Sequence, residues 1–303
     1  MAISRSQLVK ELEPGLNALF GLEYKRYENQ HSEIYTEESS DRAFEEEVML
    51  SGFANAQVKG EGSGVSFDEA QETFTARYTH ETVALAFAIT EEAIEDNLYD
   101  RLASRYTKAL ARSMSNAKQV KAVEPLIQGL PLTDNFDSGD GVSLFNTSHP
   151  TVAGTFSNTL QTPADLNETS LEQSLIDIAA MTDERGLRIA ARGLKMIIPS
   201  ELQFTAERLM KSQGRTGTAD NDVNAIVSMG MIPQGYRVNN YLTDSDAYYI
   251  LTDVPNGMKM FNRAPLTTAM EGDFDTGNVR YKARERYSFG VSDPRGIFGV
   301  EGA

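Results

Sequence analysis

The chain has no cysteine and no tryptophan, and its only histidines are His31, His80 and His149. Without thiols there can be no disulfide, no thiolate metal site and no cysteine nucleophile, a usage that fits a reducing compartment. Imidazole chemistry is scarce as well. Long apolar runs are missing: the longest, residues 83–89, falls far short of the roughly 20 residues of a spanning helix. The opening Met1-Ala2-Ile3-Ser4-Arg5-Ser6-Gln7 has no apolar stretch leading to a small-residue cleavage site, so no secretory signal is expected. Positive charge is in deficit. Lys plus Arg number 28 against 44 for Asp plus Glu, a net charge of −16, which argues against a chain devoted to gripping phosphates or an acidic membrane surface. What is present is ample apolar material, 40% of 303 residues, enough for one large or two ordinary domains.

The first part predicts a short helix over residues 6–20, then a polar stretch in which Glu37, Glu38, Asp41, Glu45, Glu46 and Glu47 cluster. It reads as an arm without a core, either a solvated face or a docking strip for a basic surface. From Val48 the pattern turns to strand and breaks at Lys59-Gly60-Glu61-Gly62-Ser63-Gly64. It resumes over 65–89 with Phe67, Phe74, Tyr78, Val83 and Phe87, which predicts a long hairpin with a glycine tip. A two-stranded hairpin is marginal alone in water, so this one is expected to lie on something, such as another subunit.

Thr90 is a candidate N-cap before Glu91 and Glu92, and apolar residues recur every three or four positions to Glu124, where Pro125 is expected to stop the helix. Such a helix would be about 50 Å long. Acids fill its first third and bases follow, in the sense that complements the macrodipole. A loop-rich stretch through Gly141 marks entry to a second domain. That domain is expected to hold helices at 171–185 and 201–211, strands at 194–198, 236–239 and 248–251, and a mobile loop at 212–221. The tail alternates Val279, Tyr281 and Ala283 with Arg280, Lys282, Arg284 and then Arg286. This predicts a strand whose outer face carries a column of cations, either solvated or facing a partner.

Sites for chemistry are weak. Ser148-His149 is the one tempting hydroxyl–imidazole neighbour pair, but sequence neighbours rarely form a working dyad and no Gly-x-Ser-x-Gly elbow exists, so a structural His149 is the better reading. There is no His-Glu-x-x-His. Asp134, Asp137 and Asp140 with Gly139 and Gly141 resemble a calcium loop in composition only. The glycine tip opens no helix and carries an acid where a phosphate would sit. No catalytic, cofactor-binding or metal-binding residue is assigned.

The order of parts, together with three segments, resembles the Hong Kong 97-type major capsid proteins of tailed phages, and more closely the phage Mu-type major head subunits. The segments are Leu144-Phe145-Asn146-Thr147-Ser148-His149-Pro150, Ile197 through Leu209 (IIPSELQFTAERL), and Arg77-Tyr78-Thr79-His80 leading into Phe87-Ala88-Ile89-Thr90-Glu91-Glu92. The resemblance implies an α+β chain with an N-arm (1–51), an E-loop (52–82), a P-domain with a spine helix (83–129), an A-domain (130–251) and a return to the P-domain (252–303). It further implies a non-catalytic, cofactor-free shell protein, located in the virion and assembled in the host cytoplasm. Its copies would form the hexamers and pentamers of an icosahedral head around double-stranded DNA that they touch weakly. Implied partners are a separate scaffolding protein, since the arm begins almost at Met1, a portal, and a decoration protein as a further candidate. Some relatives weld the shell by a Lys–Asn isopeptide bond. Lys59 lies where such a lysine would stand, but no partner Asn or catalytic Glu can be assigned. Candidate inter-subunit residues are Glu37, Glu38, Asp41, Glu45, Glu46, Glu47, Lys59, Glu61, Arg280, Lys282, Arg284 and Arg286. The alternatives are an encapsulin nanocompartment of the same fold and a soluble hydrolase using Ser148 and His149.

Overall fold

The computed structural model describes residues 5–90, 92, 99–130, 136–214, 222–273 and 277–303. Two four-stranded sheets form the body. The first has the order β1 (Thr36–Ser39), β10 (Met258–Gly272), β11 (Val279–Val291), β4 (Glu81–Ile89); β1 joins β10 in parallel and the other pairings are antiparallel. Along β11 the residues alternate as the sequence predicts, with Val279, Tyr281, Ala283 and Tyr287 buried while Arg280, Lys282 and Arg284 are exposed. The buried face is covered by two helices, α1 (Arg5–Arg26) and α2 (Tyr99–Gln128). Ala103, Leu110 and Met114 recur at helical spacing along α2 and pack with Leu16 and Phe20 of α1 and with Ile89, Tyr281 and Ala283 of the sheet.

The described part of α2 has 30 residues and spans about 45 Å. Its expected start, with the Thr90 cap and the acids from Glu91 to Asp96, falls largely outside the described residues. Pro125 does not stop it. The helix continues to Gln128 because Leu126 and Leu130 are buried against Leu144, Phe145 and Tyr249, and the Gly129 N–H closes on the Pro125 carbonyl at 3.1 Å. Proline removes one backbone hydrogen bond, and the burial of two leucines at about 1.5–3 kcal/mol each outweighs that loss.

The second sheet has the order β12 (Ile297–Val300), β9 (Tyr248–Thr252), β7 (Gly193–Ile198), β8 (Tyr236–Val238). Helices α3 (Glu168–Ala180), α4 (Gln203–Lys211) and α5 (Ala225–Met229) close its core through Leu171, Leu175, Ile178, Ala206, Leu209 and Ile226. α3 begins at a capping box in which Asn167 and Ser170 bond each other's backbone N–H, and it ends at Ala180, short of the expected Arg185. The expected loop at 212–221 lies mostly outside the described residues. The final segment does not stay with the first sheet: β12 pairs with β9. Gly299 permits this, since a Cβ there would stand 2.6 Å from the Phe145 ring.

Two further expectations are corrected. The strand predicted over 65–89 is two strands in two sheets. β3 (Glu72–Thr79) pairs with β2 (Phe44–Leu50) in a separate ribbon, whereas β4 turns at His80 into the body. His80 is buried there and bonds Ser288 Oγ and Ser40 Oγ, each at 2.9 Å, so the polar bend is satisfied. The stretch up to Glu47 is not a coreless arm either. α1 runs on to Arg26, Ile34 and Tyr35 are buried, and the Tyr35 hydroxyl donates to the Ala122 carbonyl at 2.6 Å.

Candidate assembly surfaces

The ribbon of β2 and β3 ends where Ser51 and Gln71 close it, Ser51 N–H to Gln71 O at 2.9 Å and Gln71 N–H to Ser51 Oγ at 3.0 Å. Beyond that clamp, residues 52–70 form no regular strand and every one is exposed, including Val58 at 100% and Phe67 at 98%. Phe53 and Val65 are also open to solvent. Two contacts aim the loop. Asp68 accepts from the Ala54 N–H at 2.6 Å and from the Arg185 guanidinium at 2.8 Å. The Ala54 N–H, aided by the Glu69 N–H and Arg185, holds the Asp68 carboxyl below the usual carboxylate range. Gly139, at φ +97°, lies against Thr75 and Ala76, where a Cβ would stand 2.9 Å from the Thr75 carbonyl oxygen. The base is therefore held while Lys59 and Glu61 project at the tip with no ion pair among the described residues.

The acidic cluster is largely engaged within the chain. Lys259, buried on β10, sits 3.2 Å from Glu38 and 2.5 Å from Glu47. Burial opposes its charge, but the two carboxylates outweigh burial and raise its pKa. Glu37 bonds buried His31 at 3.2 Å, Glu45 accepts from Ser40 at 2.7 Å, and Glu46 lies 3.7 Å from Arg77. Asp41 stays exposed. By contrast, the basic column lies on the face of the first sheet away from α1 and α2. Arg280 pairs with Asp273 at 2.6 Å and Arg286 donates to the Ala43 carbonyl at 3.5 Å, while Lys282 and Arg284 have no ion pair among the described residues. Their β4 neighbours are Ala88, Ala86, Ala84 and Thr82, so the cations rise from a floor of small side chains.

Ser148 and His149 are not a dyad. Ser148 is exposed and its N–H caps Asn146, whereas His149 is fully buried, stacked on Phe156 with centroids 4.8 Å apart. Both imidazole nitrogens are occupied, Nδ1 by Asp140 at 2.6 Å and Nε2 by Asn158 at 3.0 Å. Burial works to raise the Asp140 carboxyl, but hydrogen bonds from His149, Ser138 and the Val142 N–H overcome it and hold the group low. The calcium-like loop is likewise satisfied by its own backbone: Asp137 accepts the N–H groups of Gly139 and Gly141 at 2.7 and 3.1 Å, and Asp134 lies outside the described residues. Ser148→Ala is expected to leave the urea midpoint unchanged. His149→Ala, which orphans Asp140 and empties the stack, is expected to cost about 2–4 kcal/mol by the same measurement.

Three features escaped the sequence: the Lys259 clamp, the Arg185–Asp68 brace and a buried network around Arg295. Arg295 donates to Glu184 at 2.6 Å and Asp293 at 3.2 Å and lies 4.2 Å above the Phe156 ring. Asp293-Pro294-Arg295-Gly296 has the composition of a surface turn, so nothing local signals burial.

No curated protein matches the chain. Among solved structures, the fold is similar to the capsid of an empty GTA particle (12% identity, TM-score 0.55, covering 90% of this chain and 89% of that one). It is similar to a chain of Mycobacterium phage Adephagia (11%, 0.53, 91% of each chain) and to the virus-like particle from Pyrococcus furiosus (11%, 0.51, 94% and 98%). At these identities the likeness shows the fold alone, and it is the Hong Kong 97-type fold. The family model described as phage capsid protein matches residues 72–300, which takes in the projecting loop's return strand, the long helix and both sheets. The chain belongs to the phage capsid protein family.

Proposed function

We propose that the chain is the subunit of a closed icosahedral shell, arranged as hexamers and pentamers around the double-stranded DNA of a tailed phage, with no catalytic role. The single observation that carries this reading is the loop at 52–70, which is braced at its base and exposes Phe53, Val58, Val65 and Phe67 without any core of its own. Full burial of each such side chain is worth about 1.5–3 kcal/mol, whereas an exposed ion pair contributes about 0–1 kcal/mol. The apolar loop therefore supplies affinity, repeated at every subunit of the shell, and the charged residues set register. The buried His149 beside an exposed Ser148 supports the non-catalytic role.

A net charge of −16 suits a container whose DNA must be enclosed without being gripped. A separate scaffolding protein, a portal and a decoration protein belong to the same proposal, as does assembly in the host cytoplasm. Purified particles treated with nuclease and then opened are expected to release protected double-stranded DNA. Particles that instead release a defined cargo protein, and never DNA, would favour the nanocompartment reading of the same fold.

A further inference from the structure

The order of the first sheet leaves β4 at one edge, and edge strands present unpaired N–H and C=O groups that proteins ordinarily blunt with charge, proline, brevity or a cover. The opposite edge follows that rule, since β1 has four residues including Glu37 and Glu38. The edges of the second sheet are β12 and β8, with four and three residues. β4 does not follow it. It has nine residues, and from Val83 to Ile89 there is no charge, proline or glycine. Its register with β11 runs without a bulge from Ile89↔Val279 to Glu81↔Tyr287, so it is straight enough to template another strand. No described residue pairs with its outer side.

Side chains along that edge are incomplete in the same way. Leu85 is 47% exposed although its β11 partner Ala283 is fully buried, so the apolar face stops short at β4. On the other face, Ala84, Ala86 and Ala88 lie between the edge and Arg284, Lys282 and Arg280. A strand added outside β4 would lie about 10 Å from β11, at twice the usual strand spacing. Arginine and lysine side chains lean across alanine over that distance, but not across a larger residue.

We propose that the β4 edge is a strand-addition site for the loop at 52–70 of a second copy of this chain. The inference rests on the shell reading and names the surface on which the loop lands. The loop fits by pattern: Val65 and Phe67 alternate with Ser66, so an extended pairing sets both apolar side chains on the face of Leu85 and turns Ser66 toward the alanines. It fits by charge, since Glu61, Asp68 and Glu69 flank that segment while the column opposite keeps Lys282 and Arg284 unpaired among the described residues. It also fits by length, because ten residues from clamp to tip reach about 33 Å. The arm acids are the poorer occupant, since Glu37, Glu38 and Glu47 are already bonded to His31 and Lys259.

The cysteine-free chain allows a clean test. Full-length Ser66→Cys and Ala86→Cys chains are mixed, assembled and treated with a short bismaleimide. A covalent dimer on a denaturing gel is expected as the main product from the mixture and not from either variant alone. Particles that form from the mixture without that dimer overturn the proposal, as does a double variant in which the two cysteines link within one chain. Leu85→Asp, at an exposed position, is expected to keep the monomer's far-ultraviolet spectrum and lose assembly; normal assembly overturns the proposal independently of the cross-link. Loss of assembly that follows instead from nucleic acid occupying the basic column, reversed by nuclease, also overturns it. A parent chain that forms no particles at all defeats the shell reading itself.

Discussion

Deletion of residues 53–69, bridged by two glycines, is expected to leave a folded chain that no longer closes shells. No side chain in that span is buried, and the ribbon below it is clamped independently by Ser51, Gln71 and the packing of Tyr78 on Phe261. The body therefore keeps its cores, and its circular dichroism and urea midpoint are expected to match the parent within about 0.5 kcal/mol, as for surface changes away from packed features. Assembly loses the exposed apolar residues at every subunit contact. If each loop contributes even two fully buried side chains, about 3–6 kcal/mol is removed per contact, which is a factor of more than about 100 in each association constant. Sedimentation and light scattering read the result directly. Shells of normal mass from the deleted chain would contradict the role assigned to the loop.

The largest effect on the body itself is expected at Arg295. Its guanidinium is 3% exposed and is shared between Glu184, also 3% exposed, and Asp293, while its plane covers the Phe156 ring that stacks on His149. Arg295→Met keeps much of the volume and strands two buried carboxylates, which typically costs about 3–5 kcal/mol. The sign of the pH dependence follows. Burial already pushes the Asp293 carboxyl up, with Arg295 opposing it; without Arg295 the folded-state value rises further above the unfolded one. A raised carboxyl is penalised once pH exceeds the unfolded value of about 3.9, so the variant's deficit is expected to shrink as pH falls and to be fully developed at neutral pH. A urea midpoint equal to the parent's at pH 7 would show that the network is not what joins the two sheets at this point.

Legibility in the sequence followed the reach of each signal. The alternation of Val279, Tyr281 and Ala283 with Arg280, Lys282 and Arg284 is a period-two pattern on one strand and appears unchanged in the structure. The 3.6-residue stripe of α2 is equally local. What failed required knowledge of the partner. Pro125 reads as a stop, yet the helix passes through it because Leu126 and Leu130 meet Phe145 and Tyr249, residues distant in sequence. His80 sits in a continuous run of strand-forming residues, and only its buried serine partners at Ser40 and Ser288 show why the run divides between two sheets. The acids of the first fifty residues look unpartnered because the cation that gathers two of them, Lys259, is over 200 positions away.

The most direct measurement is a cryo-electron microscopy map of the assembled full-length chain, read at residues 52–70. The account predicts that this loop leaves its own body, crosses to a neighbouring copy, and has Phe67 buried there. A map in which the loop folds back on its own subunit, with Phe67 covered by its own chain and no contact to a neighbour, would contradict it.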